Sequence, residues 1–295
     1  MKSNALTMLL LAVTVSACAD DAAHRNEIEQ WRSQRVERLQ RPDGWLSLVG
    51  LHWLESGERS IGSAPDNGVQ LATGPARLGT IALADGKVWF TPAAEAGVNL
   101  DSAPAEGTVE LKPDSSGAPT QVGFNEGKAG FLVIERSGRL GLRVKDAQAP
   151  TRTGFTGIEY FQIDPDWRLP ARFEPHPPGS TIEIASVINT LEPMDNPGAV
   201  VFEKDGTRYR LEAVDEGDGQ LFLIFSDRTS GKTTYGAGRF LYAAAPVDGM
   251  TVLDFNKAYN PPCALNAYST CPLPPPENRL DLEITAGEKT YTGPH

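Results

Sequence analysis

The chain has 295 residues, more than the roughly 100 to 200 of a usual single domain, so two units are expected. Its 27 Lys and Arg against 38 Asp and Glu give a net charge of −11, with the acids spread and no long run of one sign; nucleic acid is thereby excluded as a partner, because phosphate binding needs a basic patch. A hydrophobic content of 40% is globular, and 29 Gly with 23 Pro scattered without period point to short strands joined by many turns, a mainly β chain.

Lys2 precedes an apolar run from Ala5 to Val15, and Val15-Ser16-Ala17-Cys18 closes it with small residues before a cysteine. Residues 1–17 read as a signal peptide. The run resembles the bacterial lipobox, which implies cleavage before Cys18 and a lipid on that cysteine. A membrane would then be a partner through the anchor. Ala19 stands where lipoproteins held at the inner membrane often carry Asp, so the resemblance implies a cell-envelope protein facing the periplasm, with the outer membrane favoured.

Residues 18–44 carry the anchor and a helix. Ile28, Trp31, Val36 and Leu39 follow a period of 3.6 with Arg32, Arg35 and Arg38 mostly outside it, Asp20 and Asp21 suit the positive end of the helix dipole, and Pro42 with Gly44 stops it. From Trp45 the period becomes two. Leu78 to Leu83 and Lys87 to Thr91 flank Asp85-Gly86, and Phe131 to Glu135 and Leu140 to Val144 flank Ser137-Gly138; both read as hairpins on turns that accept positive φ. Residues 45–145 are expected to form a small β-sandwich. Within it Ile61-Gly62-Ser63, Asp66 to Leu71 and Gly97 to Leu100 are similar to the forkhead-associated fold. Ser63 stands where that family has Arg, and no His lies between Arg77 and Asp85, so the likeness implies sandwich geometry without phosphopeptide binding.

Residues 146–180 read as a connector in which Pro150, Pro165, Pro170, Pro175, Pro177 and Pro178 prevent long regular elements. Phe155, Tyr160, Trp167 and Phe173 make it a packed one. Residues 181–295 read as an antiparallel meander: Thr181 to Ile188, Ala199 to Phe202, Tyr209 to Val214, Leu221 to Phe225, Thr233 to Tyr242 and Thr251 to Phe255 alternate with Asp-Gly or Ser-Gly turns at 205, 218, 230 and 248. Leu280 to Ile284 is expected as a closing strand. Between them Leu253 to Pro276 forms a proline-rich loop. With Cys18 lipidated, Cys263 and Cys271 are an even pair in an oxidising compartment, and a disulfide follows.

Several motifs together resemble the bacterial family catalogued as domain of unknown function 1684: Trp31-Arg32 with Gly44 to Leu48; Asp227, Thr229, Gly231, Thr234-Tyr235 and Arg239 to Leu241; and Asp254-Phe255-Asn256, Ala258 to Cys263, Cys271 to Pro275 and Asn278 to Leu280. Leu265-Asn266 departs from the Phe of the family pattern. The resemblance implies no activity.

Chemistry-bearing motifs are few. Thr229 to Thr233 ends like a phosphate-binding loop, but Ser226 replaces the first glycine and strands follow. There is no GxSxG or HExxH, and His24, His52, His176 and His295 lie far apart, so neither a metal nor a cofactor is expected. The polar set Arg239, Asp254, Asn256, Tyr259 and Asn260, with Asp227, is the candidate site. It reads either as an ion-pair network pinning the loop or as a pocket in which Arg239 holds an anion, Asp254 and the asparagines read hydroxyls or amides, and Tyr259 gives a stacking wall. The expectation is a non-enzymatic binding or scaffolding module for a small-molecule, glycan or protein ligand; the alternative is an envelope hydrolase with Asp254 as base and Tyr259 as acid.

Overall fold

The computed structural model describes residues 4–295, with side chains from residue 20 onward. Helix α1 spans Asn4–Gln40. The expected start near Asp20 is not a boundary, because no Gly or Pro interrupts residues 4–40 and the backbone helix runs through the acids. The Cys18 side chain lies outside the described residues. No helix among the described residues is long and apolar enough to cross a membrane. Pro42 and Gly44 end α1 as expected, and Gly44 folds so closely that a Cβ would lie 2.8 Å from the Arg38 carbonyl oxygen.

Eleven strands follow: β1 (Leu48–Trp53), β2 (Gly57–Gly62), β3 (Val69–Gln70), β4 (Gly79–Ala84), β5 (Lys87–Pro92), β6 (Asn99–Leu100), β7 (Ala103–Pro104), β8 (Val109–Leu111), β9 (Val122–Phe124), β10 (Ala129–Arg136) and β11 (Arg139–Asp146). They build two sheets, ordered β1-β11-β10-β9-β6-β7 and β3-β2-β4-β5-β8, which share one apolar core containing Ile61, Phe90, Phe124, Phe131 and Val144. This is the expected sandwich. Phe90 of one sheet meets Phe131 of the other edge-on at 5.8 Å; fully burying each such side chain contributes about 2 kcal/mol. The turn residues Asp85 and Gly86 have φ of 51° and 72°, and Ser137 and Gly138 48° and 72°, the left-handed values that a two-residue hairpin turn demands.

The remaining strands are β12 (Arg168–Pro175), β13 (Thr181–Ala185), β14 (Leu191–Asp195), β15 (Gly198–Lys204), β16 (Thr207–Ala213), β17 (Gln220–Phe225), β18 (Arg239–Ala244) and β19 (Met250–Asp254). They form a sheet ordered β16-β15-β12-β19 and two separate hairpins, β13-β14 and β17-β18, rather than one meander. Strand β12 corrects the connector, since eight of its residues form an inner strand. Its prolines are placed where a missing N–H does no harm: pairing with β15 begins at Ala171, one residue past Pro170, and ends at Pro175 opposite Gly198. Strand β18 begins only at Arg239, because residues 226–238 are spent on a loop. The hairpin β17-β18 is buried on both faces, which accounts for its unbroken apolar run. Leu221, Leu223 and Phe225 enter a large core with Phe202 and Phe255, while Phe222, Ile224 and Phe240 enter a smaller one with Ile184 and Cys271.

Leu280 to Ile284 is irregular rather than a closing strand. It is nonetheless partly buried, and its carbonyls are met by a side chain described below. Cys263 and Cys271 form a disulfide within the proline-rich loop. Leu265, at the position that departs from the family pattern, is fully buried against Leu39, Leu46 and Tyr291, so the smaller side chain joins α1, the helical turn just before β1 and the chain's end.

Candidate functional site

The five residues singled out by sequence do not gather at one cavity. Arg239 is fully buried and paired with Asp227 at 2.6 Å, both side chains being 0% exposed. Its guanidinium also donates to the carbonyls of Ile284, at 3.0 Å, and Ala286, supplying donors to the irregular segment that has no ladder of its own. Burial pushes this guanidinium downward while Asp227 pulls it back up. Asp227 also accepts from the Thr229 backbone N–H at 2.6 Å.

Asp254 belongs to a different network. Its Oδ2 lies 2.6 Å from His24 Nε2 on α1, and its Oδ1 accepts from the backbone and side-chain N–H groups of Asn256 at 3.1 and 2.9 Å. Asn256 in turn clasps the Asp164 backbone, accepting at 3.0 Å and donating at 2.9 Å. Asn260 ties the loop to the chain's end, its N–H donating to Glu288 Oε2 at 2.7 Å and its side chain to the Lys289 carbonyl at 2.8 Å. Glu288, also fully buried, takes Arg35 Nε at 3.0 Å, and Arg35 Nη2 donates to the Asn260 carbonyl at 2.9 Å. Arg35 therefore lies inside the α1 stripe rather than outside it. It is seven residues from Ile28, two helical turns on the same face, and Glu288 supplies the counter-charge that lets it be buried. With His24, Ile28 and Leu39 also buried, α1 presents a mixed apolar and ionic seam to the second unit.

Only Tyr259 of the five lines a cleft of about 780 Å³ that lies between α1, the sandwich, both hairpins and the disulfide loop. One wall is aromatic. Phe222 and Tyr242 stack at 4.8 Å with 23° between planes, Tyr242 and Tyr259 at 6.3 Å with 12°, and Phe240 meets Phe222 edge-on at 4.9 Å. Burial pushes the Tyr259 hydroxyl up to about 12, with Arg35 opposing, so it is a neutral hydrogen-bonding group at physiological pH rather than a ready proton source.

The other wall is cationic. Arg136 of β10 and Arg143 of β11 both line the cleft and both donate to Thr270 Oγ1, at 3.3 and 3.1 Å. Arg136 is paired with Asp114 at 2.9 Å. Arg143 is only 7% exposed, its guanidinium sits 5.4 Å over the Trp45 ring, and its Nε is buried with no hydrogen-bond partner. No carboxylate among the described residues lies within ion-pairing distance of it. A guanidinium withdrawn from water with no counter-charge costs several kcal/mol. Burial, reinforced by Arg136, accordingly holds Arg143 down at about 10, with Asp114 opposing. Among the described residues no three His, Cys, Asp or Glu side chains gather as a metal site would.

Residues 153–289 match the family described as "Protein of unknown function (DUF1684)". The match covers a little under half of the chain. The motifs at Trp31-Arg32 and Gly44 to Leu48 lie outside the matched segment. An uncharacterized protein of Haloarcula marismortui, solved by solution NMR, is 32% identical, with 47% of this chain and 79% of that chain covered and a TM-score of 0.40. No curated protein matches.

The cleft straddles the edge of the DUF1684 segment. That segment supplies the aromatic wall and Thr270, while α1 and the sandwich supply Arg35, Arg136 and Arg143. Sequence reasoning missed Arg143 and His24. The signal for Arg143 was a charged residue between Leu142 and Val144 in a strand whose residues 141–144 are all buried. For His24 the signal was its place four residues before Ile28, in phase with the buried stripe.

Proposed function

We propose that the protein is a ligand-binding module of the cell envelope, tethered through a lipid on Cys18, which takes a small molecule in the cleft between α1, the sandwich and the DUF1684 segment. The observation that carries this reading is the pairing of a three-ring aromatic wall with a buried, uncompensated Arg143 across one cavity. Core packing explains aromatic residues and ion pairing explains buried arginines, but neither explains a buried cation left without its partner. Asp254 supports the binding reading over hydrolysis, because His24 and Asn256 already engage it and it does not line the cleft. The small residues before Cys18 support the tether, which would leave the cleft facing the periplasm.

Trp31 and Trp45 both line the cleft, so their fluorescence reports occupancy. A panel of aromatic acids, glycans and short peptides is titrated against the parent and against Tyr242→Ala. A compound that shifts parent emission and loses affinity in the variant supports the reading. If no compound shifts a folded parent, the protein is a scaffold.

A further inference from the structure

We infer that Arg143, Arg136 and Thr270 form a carboxylate-recognition subsite, and that the ligand is an aromatic monocarboxylate whose ring lies on the wall made by Phe222, Tyr242 and Tyr259. This rests on the cleft reading above and names the chemistry that reading leaves open.

Three features select an oxyanion. Arg143 is more than nine-tenths buried, lines the cleft and keeps an unpartnered Nε. Two guanidinium groups converge on one hydroxyl oxygen, Thr270 Oγ1. With that oxygen accepting twice, the Thr270 O–H is left to donate. Arg136 is already engaged by Thr270, Asp114 and the Glu135 carbonyl, so the free Nε and the charge of Arg143 with the Thr270 O–H are the donors on offer, the complement of an acceptor-only anion. Asp114 neutralises one of the two cations, so one positive charge remains to be met.

Two further features select a single carboxylate over a phosphate. Glu192, Glu216 and Asp218 line the same cleft, and a dianion would meet their repulsion along with the attraction of the arginines. The guanidinium fork of Arg143 is planar and suits a planar acceptor pair. The opposite wall selects the rest of the molecule: three rings within 23° of parallel from one to the next offer a flat apolar surface on which a planar ring stacks. Burying a carboxylate on Arg143 would give that cation its missing counter-charge, which explains why the fold tolerates it there.

The test uses the full mature chain and three probes of one shape: 2-naphthoate, uncharged 2-naphthamide and 2-naphthyl phosphate, each titrated by calorimetry. The inference requires naphthoate to bind more tightly than both others. In Arg143→Gln the preference for naphthoate over naphthamide should fall by roughly 30-fold or more, as when a buried charge partner is truncated, while naphthamide affinity changes little. Arg143→Lys should recover only part of it, since a point charge lacks the fork. Thr270→Val, which leaves both arginines in place, covers the case in which the Arg143 variants fail to fold, and should weaken naphthoate alone. Equal binding of naphthoate and naphthamide overturns the subsite and leaves the cleft as a neutral pocket. A preference for naphthyl phosphate overturns the carboxylate assignment. If none of the three binds, charged or not, the subsite and the cleft reading both fall.

Discussion

His24 on α1 and Asp254 at the end of β19 hydrogen-bond at 2.6 Å although 230 residues separate them. The contact is one of a row that fastens the helix to the second unit. One turn on, Glu27 pairs with Lys257; then Arg32 donates to the Phe161 carbonyl at 3.0 Å, and Arg35 reaches Glu288. The helix that would carry the anchor is thereby docked on the same elements that hold the cleft.

The His24 and Asp254 contact should matter for stability rather than for turnover. In Asp254→Ala both His24 and the Asn256 side chain lose a buried partner, and the expected loss is about 3 kcal/mol. Urea unfolding followed by tryptophan fluorescence measures it. A change below about 0.5 kcal/mol, the range of an ordinary surface substitution, would mean that the helix is held by its apolar stripe alone.

Arg239 and Asp227 should behave as a unit. Either single truncation leaves a buried charge behind and should cost about 3 to 5 kcal/mol, whereas the double variant Arg239→Met with Asp227→Asn should cost clearly less than the sum. A double-mutant cycle in denaturant decides it, and additivity would rule out the coupling. Arg239→Lys should not rescue, because one ammonium cannot reach both the carboxylate and the carbonyls of Ile284 and Ala286.

Arg143 should show the opposite sign. Its folded value of about 10 lies below the ordinary one, so the folded state disfavours the charged form, and that cost is present at every pH below about 10. It is relieved only as pH rises toward the unfolded value. At neutral pH Arg143→Met should therefore leave stability unchanged or raise it by about 1 kcal/mol or more, the lost Thr270 contact offsetting part of the gain. A drop in melting temperature comparable to that of Arg239→Met would show Arg143 to be a structural arginine.

The disulfide should hold the loop that carries Thr270. Joining Cys263 and Cys271 across a separation of 8 residues stabilises by about 2.5 kcal/mol on the chain-entropy estimate. Comparing unfolding midpoints of the parent and of the double Cys→Ala variant tests this. Equal midpoints would mean that the prolines and the loop's hydrogen bonds, such as that of Asn266 to the Trp45 carbonyl at 3.1 Å and those of Asn260 to Glu288 and Lys289, hold it without the disulfide.

The tether is tested separately. Mass spectrometry of the amino-terminal peptide from cell envelopes should find Cys18 first and lipid-modified, and Cys18→Ser should release the protein from membranes. An unmodified Cys18 removes the anchor from the proposal without touching the cleft.

Local rules made much of the fold legible in the residues alone. Asp85-Gly86 and Ser137-Gly138 announce their hairpins because few residue pairs adopt two successive positive φ values, and alternating apolar positions place both sheets of the sandwich. Cys263 and Cys271 announce their bond by proximity and number. Partner choice over long distances has no such local mark. Nothing near Asp254 points to His24, and nothing near Arg239 tells whether its guanidinium faces a ligand or the carbonyls of Ile284 and Ala286. The prolines around β12 read locally as breaks, yet pairing with β15 begins one residue after Pro170. Arg143 is the clearest case. A lone arginine in a strand is usually at a solvated surface, and only the packing of α1, the sandwich and the disulfide loop around it removed the water and left the charge facing a cleft.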